Sequence, residues 1–344
     1  MSSRQNGKPD LANGNGNGHQ KEADAPPQLW NGEYVEAWVR LLPASWTPYI
    51  QLARLSPPVP LLLIFFPHLF GVAHAAFTQQ APLEDVLRAS GLLFAGSFFF
   101  SNAIHGWNDL IDAPIDKLIP RTQNRPIVRG AISPRAAFIF TVSQAALGAV
   151  FLPLLSDDAP LCVVPSIIAN FYYPFAKRHT YFPQVVLGVC LQWAVILGSC
   201  AMGVQSAWTD PSVLCLFFAC LLWTVVYDTV YGYQDYYEDI KHGVKSTAVL
   251  FGSWGKVILW LMSNTVAGLL VASGYLADMG PIYFTIAVGG TFTSLNVMMA
   301  KVNLQSPESC SWWFAYGFWG PAISIYSGLL SQYLISQGIL PVKL

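Results

Sequence analysis

The stretch from Val213 to Tyr231 reads VLCLFFACLLWTVVYDTVY and contains a single charged side chain, Asp228. A helix of about 20 apolar residues is long enough to cross the hydrocarbon core of a bilayer. Because lipid offers no hydrogen-bond partners, such a segment must satisfy its own backbone groups, and a helix does so. The stretch therefore predicts a membrane-spanning helix.

Eight further apolar stretches occur along the chain. They run from Pro58 to Phe77, Val86 to Trp107, Pro134 to Leu155, Leu161 to Phe175, Pro183 to Met202, Trp254 to Tyr275, Ile282 to Val302 and Trp312 to Ile335. The stretch from Leu161 is short, and Pro160 and Pro165 disturb its start, so a total of eight spans stays open. We predict an all-α integral membrane protein with about nine transmembrane helices.

The composition agrees with a surface that faces mostly lipid. Hydrophobic residues make up 53% of the chain and charged residues 11%, whereas soluble domains carry about a quarter charged residues. The net charge of −1 argues against a nucleic-acid partner, which needs a basic face. The six cysteines show no C-x-x-C spacing and are expected to be small buried hydrophobes.

The start of the chain differs from the rest. Met1 to Gln28 is rich in Asn, Gly, Gln and Pro and is predicted to be disordered. It has neither the apolar segment of a secretory signal nor the basic amphipathic pattern of a mitochondrial presequence. We therefore divide the chain into a polar tail with a juxtamembrane segment, residues 1–45, and a multi-span domain, residues 46–344.

The basic residues predict the orientation in the membrane. With the N-terminus on one side, the loops that return to that side and their edges hold eleven Lys or Arg residues, whereas the opposite side holds Arg88 and Lys343. The eleven are Lys117, Arg121, Arg125, Arg129, Arg135, Lys177, Arg178, Lys241, Lys245, Lys256 and Lys301. Since loops rich in Lys and Arg stay in the cytoplasm, the N-terminal side is predicted to be cytoplasmic.

Two acidic clusters lie at the cytoplasmic ends of predicted helices. The first reads NDLIDAPID from Asn108 to Asp116. Asn108, Asp112 and Asp116 are four residues apart, so a helix places them on one face. Pro114 lacks a backbone donor and is expected to end or kink the helix after Asp112, which leaves the placement of Asp116 open.

The second cluster reads DTVYGYQDYYED from Asp228 to Asp239. Asp235 and Asp239 are again four apart, and Asp228 lies two turns earlier on nearly the same helix face. Carboxylates at membrane depth are costly and therefore functional by default. Stacked carboxylates repel one another unless a cation lies between them, and Mg²⁺ takes oxygen ligands together with substrate phosphates. Two such clusters predict a diphosphate bound through magnesium rather than the charges of a solvated loop.

Basic segments follow on the same side of the membrane. They read RTQNRP from Arg121 to Pro126, YPFAKR from Tyr173 to Arg178 and KHGVKST from Lys241 to Thr247. Guanidinium and ammonium groups hold the oxygens of a diphosphate and stabilise it as a leaving group. For each basic residue alone, anchoring at the membrane surface stays an alternative. Beside the second cluster, the rings of Tyr231 and Tyr236 are suited to stabilise an allylic cation.

These motifs together resemble the UbiA superfamily of intramembrane prenyltransferases. Asn108 to Asp116 fits the motif N-D-x-x-D-x-x-x-D, Arg121 to Pro126 fits R-T-x-N-R-P, and Asp235 to Asp239 fits D-x-x-x-D. Tyr173 to Arg178 resembles the family's Y-P-x-x-K-R segment. The resemblance covers nearly the whole chain after about Trp46. It implies a bundle of nine transmembrane helices around a central cavity.

The resemblance also implies roles for individual residues. The expected magnesium ligands are Asn108, Asp112, Asp116, Asp235 and Asp239. The expected diphosphate-binding residues are Arg121, Arg125, Lys177, Arg178 and Lys245. Arg54 lies where the family often has an Arg near the substrates, and we add Tyr231 and Tyr236 as substrate contacts. Catalysis is assigned to Asp112, Asp228, Asp235 and Asp239, with Asp235 or Asp228 accepting the ring proton.

The expected reaction is the Mg²⁺-dependent transfer of an isoprenyl group from its diphosphate to a carbon of an aromatic acceptor. The chain is most similar to 4-hydroxybenzoate polyprenyltransferases, but its tail resembles fungal members that farnesylate aromatic polyketide acids in meroterpenoid biosynthesis. We therefore expect a farnesyl donor and a location in the endoplasmic reticulum or Golgi rather than the mitochondrial inner membrane. Two alternatives stay open: a 4-hydroxybenzoate polyprenyltransferase of ubiquinone biosynthesis, and a cation-coupled transporter, whose site would lie near the bilayer midplane.

Overall fold

The computed structural model describes residues 35–340, in which no β-strand occurs. The helices are α1 Thr47–Leu52, α2 Val59–Thr78, α3 Leu83–Asp116, α4 Pro134–Ala149, α5 Leu152–Leu155, α6 Ala159–Cys162, α7 Val164–Ala176, α8 Pro183–Ala201, α9 Pro211–Gly232, α10 Tyr236–His242, α11 Thr247–Phe251, α12 Gly255–Leu276, α13 Pro281–Tyr283, α14 Gly290–Lys301, α15 Pro307–Gly317 and α16 Trp319–Ser336. The predicted all-α fold is confirmed. The tail from Met1 to Gln28 lies outside the described residues, and the boundary between residues 45 and 46 stays a prediction.

Seven helical segments within residues 35–340 are long and apolar enough to cross a membrane. They are Val59–Gln79, Pro134–Leu155, Ala159–Ala176, Pro183–Ala201, Pro211–His242, Thr247–Leu276 and Pro281–Lys301. The predicted spans from Val86 to Trp107 and from Trp312 to Ile335 are helical but not among the seven. Ser and Asn side chains interrupt the first stretch, Ser and Gln side chains interrupt the second, and both stretches therefore have a lower mean hydropathy. The protein is therefore a multi-pass membrane protein, whereas the count of nine spans is not confirmed.

The helices form a closed arrangement around a centre. Helices α2, α8 and α9 lie most deeply inside it, and α2 packs against α8, α3 and α16. Around them, α3 packs against α4 and α7, α7 against α8, α9 against α12, α12 against α14, and α14 against α16. Since lipid is as apolar as the buried side chains, close packing rather than hydrophobic burial holds such a bundle together.

Small residues allow the central helices α2 and α8 to approach closely. A Cβ atom added to Gly71 would collide with the carbonyl oxygen of Val195, and one added to Gly198 would collide with the carbonyl oxygen of His68. Ser199 donates from Oγ to the carbonyl oxygen of Gly71 at 3.3 Å. This crossing fixes the position of α2, which forms one wall of the cavities described below.

Helix α3 runs without a break from Leu83 through Pro114 to Asp116. The expectation that Pro114 could end the helix after Asp112 is therefore wrong. Proline removes only one backbone donor, and the helix has only two more residues to run before it ends. Asn108, Asp112 and Asp116 consequently belong to one continuous helix, as their spacing of four predicts.

The second acidic cluster is less regular than its spacing suggests. Helix α9 ends at Gly232, a 3₁₀ turn covers Tyr233–Asp235, and α10 begins at Tyr236. Asp228, Asp235 and Asp239 therefore lie on one helical segment, Pro211–His242, in which a 3₁₀ turn interrupts the regular α-helical spacing between Asp228 and Asp239. Helix α10 ends at His242, and the next residue, Gly243, has a φ of 69°, in the left-handed region that glycine adopts without strain. The chain then turns back, and Lys245 donates its backbone N–H to the carbonyl of Lys177 at 3.1 Å.

The cysteines behave as predicted from their spacing. All six are free thiols, and five are buried: Cys162, Cys190, Cys200, Cys220 and Cys310. Cys162 and Cys200 lie with their sulfur atoms 3.1 Å apart, at the ends of α6 and α8 that are remote from the acidic clusters.

Candidate active site

A polar cavity of about 170 Å³ lies at the end of the bundle that carries both acidic clusters. Its polar lining residues are Arg54, His105, Asn108, Arg121, Arg125, Asn170, Tyr173, Lys177, Tyr227, Asp228 and Tyr231, and its apolar lining residues are Pro60, Leu63, Ile64, Ile104, Leu187, Leu191 and Phe314. These side chains come from α2, α3, α7, α8, α9, α15 and three loops. The structure thus brings residues from both acidic clusters and two basic segments to one place.

Helix α3 contributes a buried carboxylate that sequence reasoning did not assign a role. Asp109 accepts hydrogen bonds from Nη2 of Arg54 at 2.9 Å and from Nη1 of Arg125 at 3.2 Å. Arg125 also donates from Nη1 to Oδ2 of Asp116 at 2.8 Å. Breaking a buried pair of this kind strands a charge and costs about 3–5 kcal/mol. The network therefore fixes Arg54 and the loop after α3.

Two further ion pairs connect the acidic clusters to the basic segments. Nζ of Lys177 lies 3.1 Å from Oδ2 of Asp112 and 5.5 Å from the centre of the Tyr173 ring. Arg121 donates from Nη2 to Oδ2 of Asp235 at 2.6 Å and from Nη1 to the hydroxyl oxygen of Tyr231 at 2.9 Å. These contacts leave the cationic groups facing the cavity.

The cations remain charged in this setting. Burial alone lowers the pKa of a cation because it disfavours the charged form. Asp112, however, raises the pKa of Lys177 above its ordinary value. Asp109 and Asp116 likewise raise the pKa of Arg125. Both groups therefore carry a positive charge throughout the physiological pH range, as anion binding requires.

Two buried acceptor oxygens of the first acidic cluster on α3 have no hydrogen-bond partner. They are Oδ1 of Asn108 and Oδ1 of Asp112, one turn apart on α3. Buried acceptors without a donor are costly, so the pair suits a cation that both oxygens can bind. Within residues 35–340, no group of three His, Cys, Asp or Glu side chains is already gathered as a metal site. The donor set fits Mg²⁺, which needs few protein oxygens when a substrate supplies others.

The second cluster lies close to these groups. Asp228 lines the cavity directly. Asp239 is buried, and Oγ of Ser246 donates to its Oδ2 at 3.4 Å. Asp235 approaches the cavity through its pair with Arg121. Three of the predicted carboxylates thus lie around the same basic residues.

Three of the residues predicted to bind diphosphate or substrate do not line the cavity. Arg178 donates to the backbone carbonyls of Pro174 and Ile111 at 3.1 and 2.8 Å. Lys245 donates from Nζ to the carbonyl of His179 at 3.3 Å. The ring of Tyr236 stacks on Tyr233, 5.7 Å away. Their assignment to diphosphate or substrate binding stays a prediction, and these contacts give each a structural role.

Sequence reasoning missed Asp109, Asn170 and Tyr173. Asp109 stands inside the first acidic motif, where the spacing of four drew attention to its neighbours instead. Asn170 gave a weak signal, as an amide within the apolar helix α7. Tyr173 was visible in the YPFAKR segment but could not be separated from the aromatic residues that line membrane surfaces.

An apolar chamber of about 270 Å³ lies directly beneath the polar cavity. The two share four lining residues: Ile64, Ile104, Asn170 and Leu191. The chamber continues between α2, α3, α4, α7 and α8 as far as Leu92 and Leu155. A polar reaction site therefore opens onto a space suited to a hydrocarbon chain.

A membrane-spanning helical bundle with paired acidic and basic motifs above an apolar chamber defines an intramembrane enzyme for an amphiphilic substrate. Residues 64–320 match the model of the UbiA prenyltransferase family. The chain therefore belongs to this family, and it is a prenyltransferase. The alternative of a cation-coupled transporter finds no support.

Individual relatives agree with this assignment. The chain is 33% identical over 310 residues to prenyltransferase stbC of Stachybotrys bisbyi, a match covering 89% of this chain and 92% of that protein. It is 35% identical over 275 residues to the mitochondrial 4-hydroxybenzoate polyprenyltransferase of Saccharomyces cerevisiae, covering 79% of this chain and 73% of that protein. A UbiA homologue from Archaeoglobus fulgidus bound to GPP and Mg²⁺ shares the fold, with a TM-score of 0.61 and 18% identity over 83% of this chain and 99% of that one.

Proposed function

We propose that this prenyltransferase transfers a farnesyl group from its diphosphate to a ring carbon of an aromatic polyketide-type acid, with Mg²⁺, in meroterpenoid biosynthesis. The observation that carries the proposal is the junction of the polar cavity with the apolar chamber at Ile64, Ile104, Asn170 and Leu191. A prenyl diphosphate has the same division into a charged head and an apolar chain.

The diphosphate is assigned to the polar cavity. Arg121, Arg125 and Lys177 line it, and each also pairs with a carboxylate. Guanidinium and ammonium groups bind phosphate oxygens strongly and stabilise the charge that develops on a leaving diphosphate. Arg178 and Lys245 were predicted for the same role, and we assign them instead to holding the loops around the cavity.

Magnesium is assigned to Asn108 and Asp112, with Asp235 and Asp239 on the opposite side. The unpaired Oδ1 atoms of Asn108 and Asp112 support this assignment. A bound Mg²⁺ supplies charge neutralisation for the leaving diphosphate. Asp116 is left out of this assignment, because Arg125 connects its Oδ2 at 2.8 Å to Asp109 on the same helix rather than to the second cluster. The Archaeoglobus homologue of the same fold is bound to GPP and Mg²⁺ together, which supports a site for both.

The reaction uses the cavity in three steps. The bond between C1 of the farnesyl group and the diphosphate oxygen breaks, and the electron pair leaves with the diphosphate. The allylic cation lies near the rings of Tyr173 and Tyr231, whose faces stabilise positive charge, while the apolar chamber keeps water away. A ring carbon of the acceptor attacks C1, and a carboxylate takes the ring proton. Asp228 is the better base, because it lines the cavity while Arg121 engages Asp235.

Arg54 is assigned to the carboxylate of the acceptor. It lines the cavity, and Asp109 holds its Nη2 at 2.9 Å. Its φ of 54° places it in the left-handed region, which is strained for a side chain of this size and is a recurring feature of functional sites. An arginine in this position is suited to bind a carboxylate through two donors.

The depth of the chamber supports a farnesyl donor. From Ile104 to Leu92 on α3 the chamber spans twelve residues, which corresponds to about 18 Å of helix. Each isoprenyl unit adds four chain bonds of about 1.5 Å and so extends a chain by about 5 Å. Three units therefore fit within the chamber.

The pathway rests on the relatives. The alignment spans 92% of the length of stbC but 73% of the yeast 4-hydroxybenzoate enzyme. The near-complete alignment with a fungal prenyltransferase supports the polyketide acceptor and a location in the endoplasmic reticulum or Golgi. The second candidate is 4-hydroxybenzoate prenylation in ubiquinone biosynthesis, favoured by the 35% identity to the yeast enzyme.

Product analysis on membranes that contain the protein separates the two candidates. The donors are geranyl, farnesyl and geranylgeranyl diphosphate with Mg²⁺, and the acceptors are an orsellinic-type acid and 4-hydroxybenzoate. We expect farnesylation of the polyketide acid alone. Prenylated 4-hydroxybenzoate as the main product would assign the protein to the quinone pathway, and localisation to mitochondria would support that outcome.

A further inference from the structure

Four residues line both the polar cavity and the apolar chamber, and they form the seam between the two spaces. Three of them are aliphatic: Ile64, Ile104 and Leu191. The fourth is Asn170 on α7, the polar member of the set. An amide in apolar surroundings is costly unless its polar atoms find partners. We therefore asked which atoms of Asn170 are used within the protein and which one faces the seam.

One face of α7 follows the change from apolar to polar lining. Ser166, Asn170, Tyr173 and Lys177 are separated by four, three and four residues, so they share a helix face. Ser166 lines the chamber, and Tyr173 and Lys177 line the polar cavity. Asn170 lies about 4.5 Å of helix below Tyr173 and about 10 Å below Lys177. A diphosphate bound at Lys177 would thus place the first carbons of its prenyl group beside Asn170.

The hydrogen bonds of Asn170 determine which end of the amide faces the seam. Its Nδ2 donates to the carbonyl oxygen of Ser166 at 2.8 Å and to that of Cys190 on α8 at 3.4 Å. Backbone carbonyls only accept, so the nitrogen rather than the oxygen of the amide must point at them. Oδ1 lies on the other side of the same planar group. A carbonyl oxygen that is held in one orientation therefore faces the seam.

We infer that Oδ1 of Asn170 stabilises the allylic cation that forms when the diphosphate leaves. This inference rests on the proposed function, because it presumes a prenyl donor whose C1 lies at the seam. When the bond between C1 and the diphosphate oxygen breaks, the electron pair leaves with the diphosphate, and C1 and C3 share the positive charge. The amide forms no bond to either carbon. The negative end of its dipole lies beside them until the ring carbon of the acceptor attacks C1.

The setting of the amide makes this interaction specific for the cation. A dipole that is held in place before the reaction needs no reorganisation, and it acts most strongly where water is excluded. C1 and C3 carry little charge in the bound donor, so the dipole interacts weakly with the substrate and strongly with the cation. An interaction of this kind raises kcat and leaves KM nearly unchanged. Asn170 would act from the chamber side of the cation, below the ring of Tyr173.

Asn170→Leu removes the dipole and keeps a side chain of similar size. With farnesyl diphosphate we expect kcat to fall about 10- to 100-fold and KM to stay within about twofold of the unmodified protein. Asn264→Leu on α12 is the matched control. Asn264 is exposed, and its Nδ2 donates to the carbonyl of Trp260 at 2.8 Å, over the same spacing of four residues. This variant loses the same kind of hydrogen bond and should keep the kinetics of the unmodified protein.

A cationic inhibitor provides a readout that a purely structural role would not change. A farnesyl analogue with an ammonium nitrogen in place of C3, added with Mg²⁺ and inorganic diphosphate, imitates the cation. Farnesyl thiolodiphosphate, with sulfur in place of the bridging oxygen, imitates the donor before ionisation. We expect Asn170→Leu to raise the inhibition constant of the ammonium analogue at least about tenfold, and that of the thiolodiphosphate less than about twofold. Unchanged binding of the thiolodiphosphate also shows that the variant is folded.

The outcomes separate the inference from the proposed function. Equal weakening of both analogues, or unchanged binding of the ammonium analogue, would overturn the role of Asn170. A rise in the KM of the aromatic acceptor without a change in kcat would also overturn it and assign the amide to the acceptor. If the unmodified protein transferred no isoprenyl group from any donor, the proposed function itself would fail. Weakening confined to the ammonium analogue, together with the fall in kcat, supports Asn170 as a catalytic residue.

Discussion

Arg121 and Asp235 are 114 residues apart in the sequence, and in the folded protein Nη2 of the arginine lies 2.6 Å from Oδ2 of the aspartate. The contact joins the loop after α3 to the turn after α9. Arg121 also donates to the hydroxyl oxygen of Tyr231, so one guanidinium holds two elements of the second acidic cluster. The geometry depends on several donors of one planar group, which a lysine does not provide.

Arg121→Lys tests this dependence. The variant keeps the positive charge but loses the paired contacts with Asp235, so we expect kcat/KM for the prenyl diphosphate to fall about 10- to 100-fold. Steady-state kinetics with varied donor measures it. Arg135→Lys, at an exposed position on the same side, is the control, and its kcat/KM should equal that of the unmodified protein. Unchanged kinetics in Arg121→Lys would show that charge alone suffices.

Asp112→Asn tests the assignment of the metal. One carboxylate oxygen pairs with Lys177 and the other has no partner, so we expect the variant to need more Mg²⁺ and to lose about 100-fold in activity. A titration of activity against Mg²⁺ measures both effects. Asp239→Asn should behave similarly, and the exposed Asp157→Asn should not. Full activity of Asp112→Asn and Asp239→Asn at low Mg²⁺ would contradict the scheme.

The residues of the site were largely predictable from the sequence, but their pairing was not. Spacings of four identified Asn108, Asp112 and Asp116, because a regular helix determines which residues share a face. The partners of the carboxylates come from loops 9 to 114 residues away, and only tertiary packing brings them near. For this reason the sequence indicated a diphosphate role for Arg125 but not its ion pairs with Asp109 and Asp116.

The membrane fold followed from hydropathy, whereas its irregular features did not. Apolar runs predict spans because each must satisfy its own backbone in lipid. The 3₁₀ turn between α9 and α10 covers Tyr233–Asp235, and no proline in the sequence indicates it. The apolar chamber has no sequence signature, because it arises from small residues on one helix facing a gap beside another.

Gly198→Ala tests the close crossing of α2 and α8. The added Cβ would collide with the carbonyl oxygen of His68, so either the helices separate or a backbone shifts. We expect the free energy of unfolding to fall by about 1–3 kcal/mol. Gly268→Ala on α12 is the matched control, because its Cβ would meet no atom within 4 Å. In that variant the free energy of unfolding should stay unchanged or rise by up to about 1 kcal/mol. Thermal unfolding in detergent measures both, and equal Tm values would contradict the crossing.

Asp210 caps α9 at the end remote from the acidic clusters. Its Oδ1 accepts from the hydroxyl of Ser212 at 2.6 Å and from the backbone N–H groups of Ser212 and Val213 at 2.8 and 3.2 Å. Burial alone would raise its pKa, but these hydrogen bonds outweigh burial and hold the pKa of Asp210 below its ordinary value of 3.8. A carboxyl of this kind stabilises the fold above its ordinary pKa and loses that contribution as the pH falls through the lower, folded value.

We therefore expect Asp210→Ala to lower the free energy of unfolding by about 1 kcal/mol near neutral pH. The difference from the unmodified protein should shrink below about pH 4. Asp210→Asn keeps the cap and should remove the pH dependence. The free energy of unfolding of both proteins, measured at several pH values, tests this. If the difference between them grew as the pH falls, the pKa of Asp210 would be raised rather than lowered in the folded protein.

Arg54→Gln tests the site of the acceptor. The guanidinium lines the polar cavity, and Asp109 orients it, so a bound aromatic acid would lose a charge-assisted partner in the variant. A hydrogen bond to a charged group contributes about 1.5–3 kcal/mol, which corresponds to a rise of about 10- to 100-fold in KM for the acid. The same phenol without its carboxylate should be prenylated equally well by both proteins. Since Asp109 keeps its contact with Arg125, the KM for the prenyl diphosphate should not change. Arg40→Gln, at an exposed position before α1, controls for loss of charge on this side. Equal losses with the acid and with the neutral phenol would show that Arg54 supports the cavity wall instead of binding the acceptor.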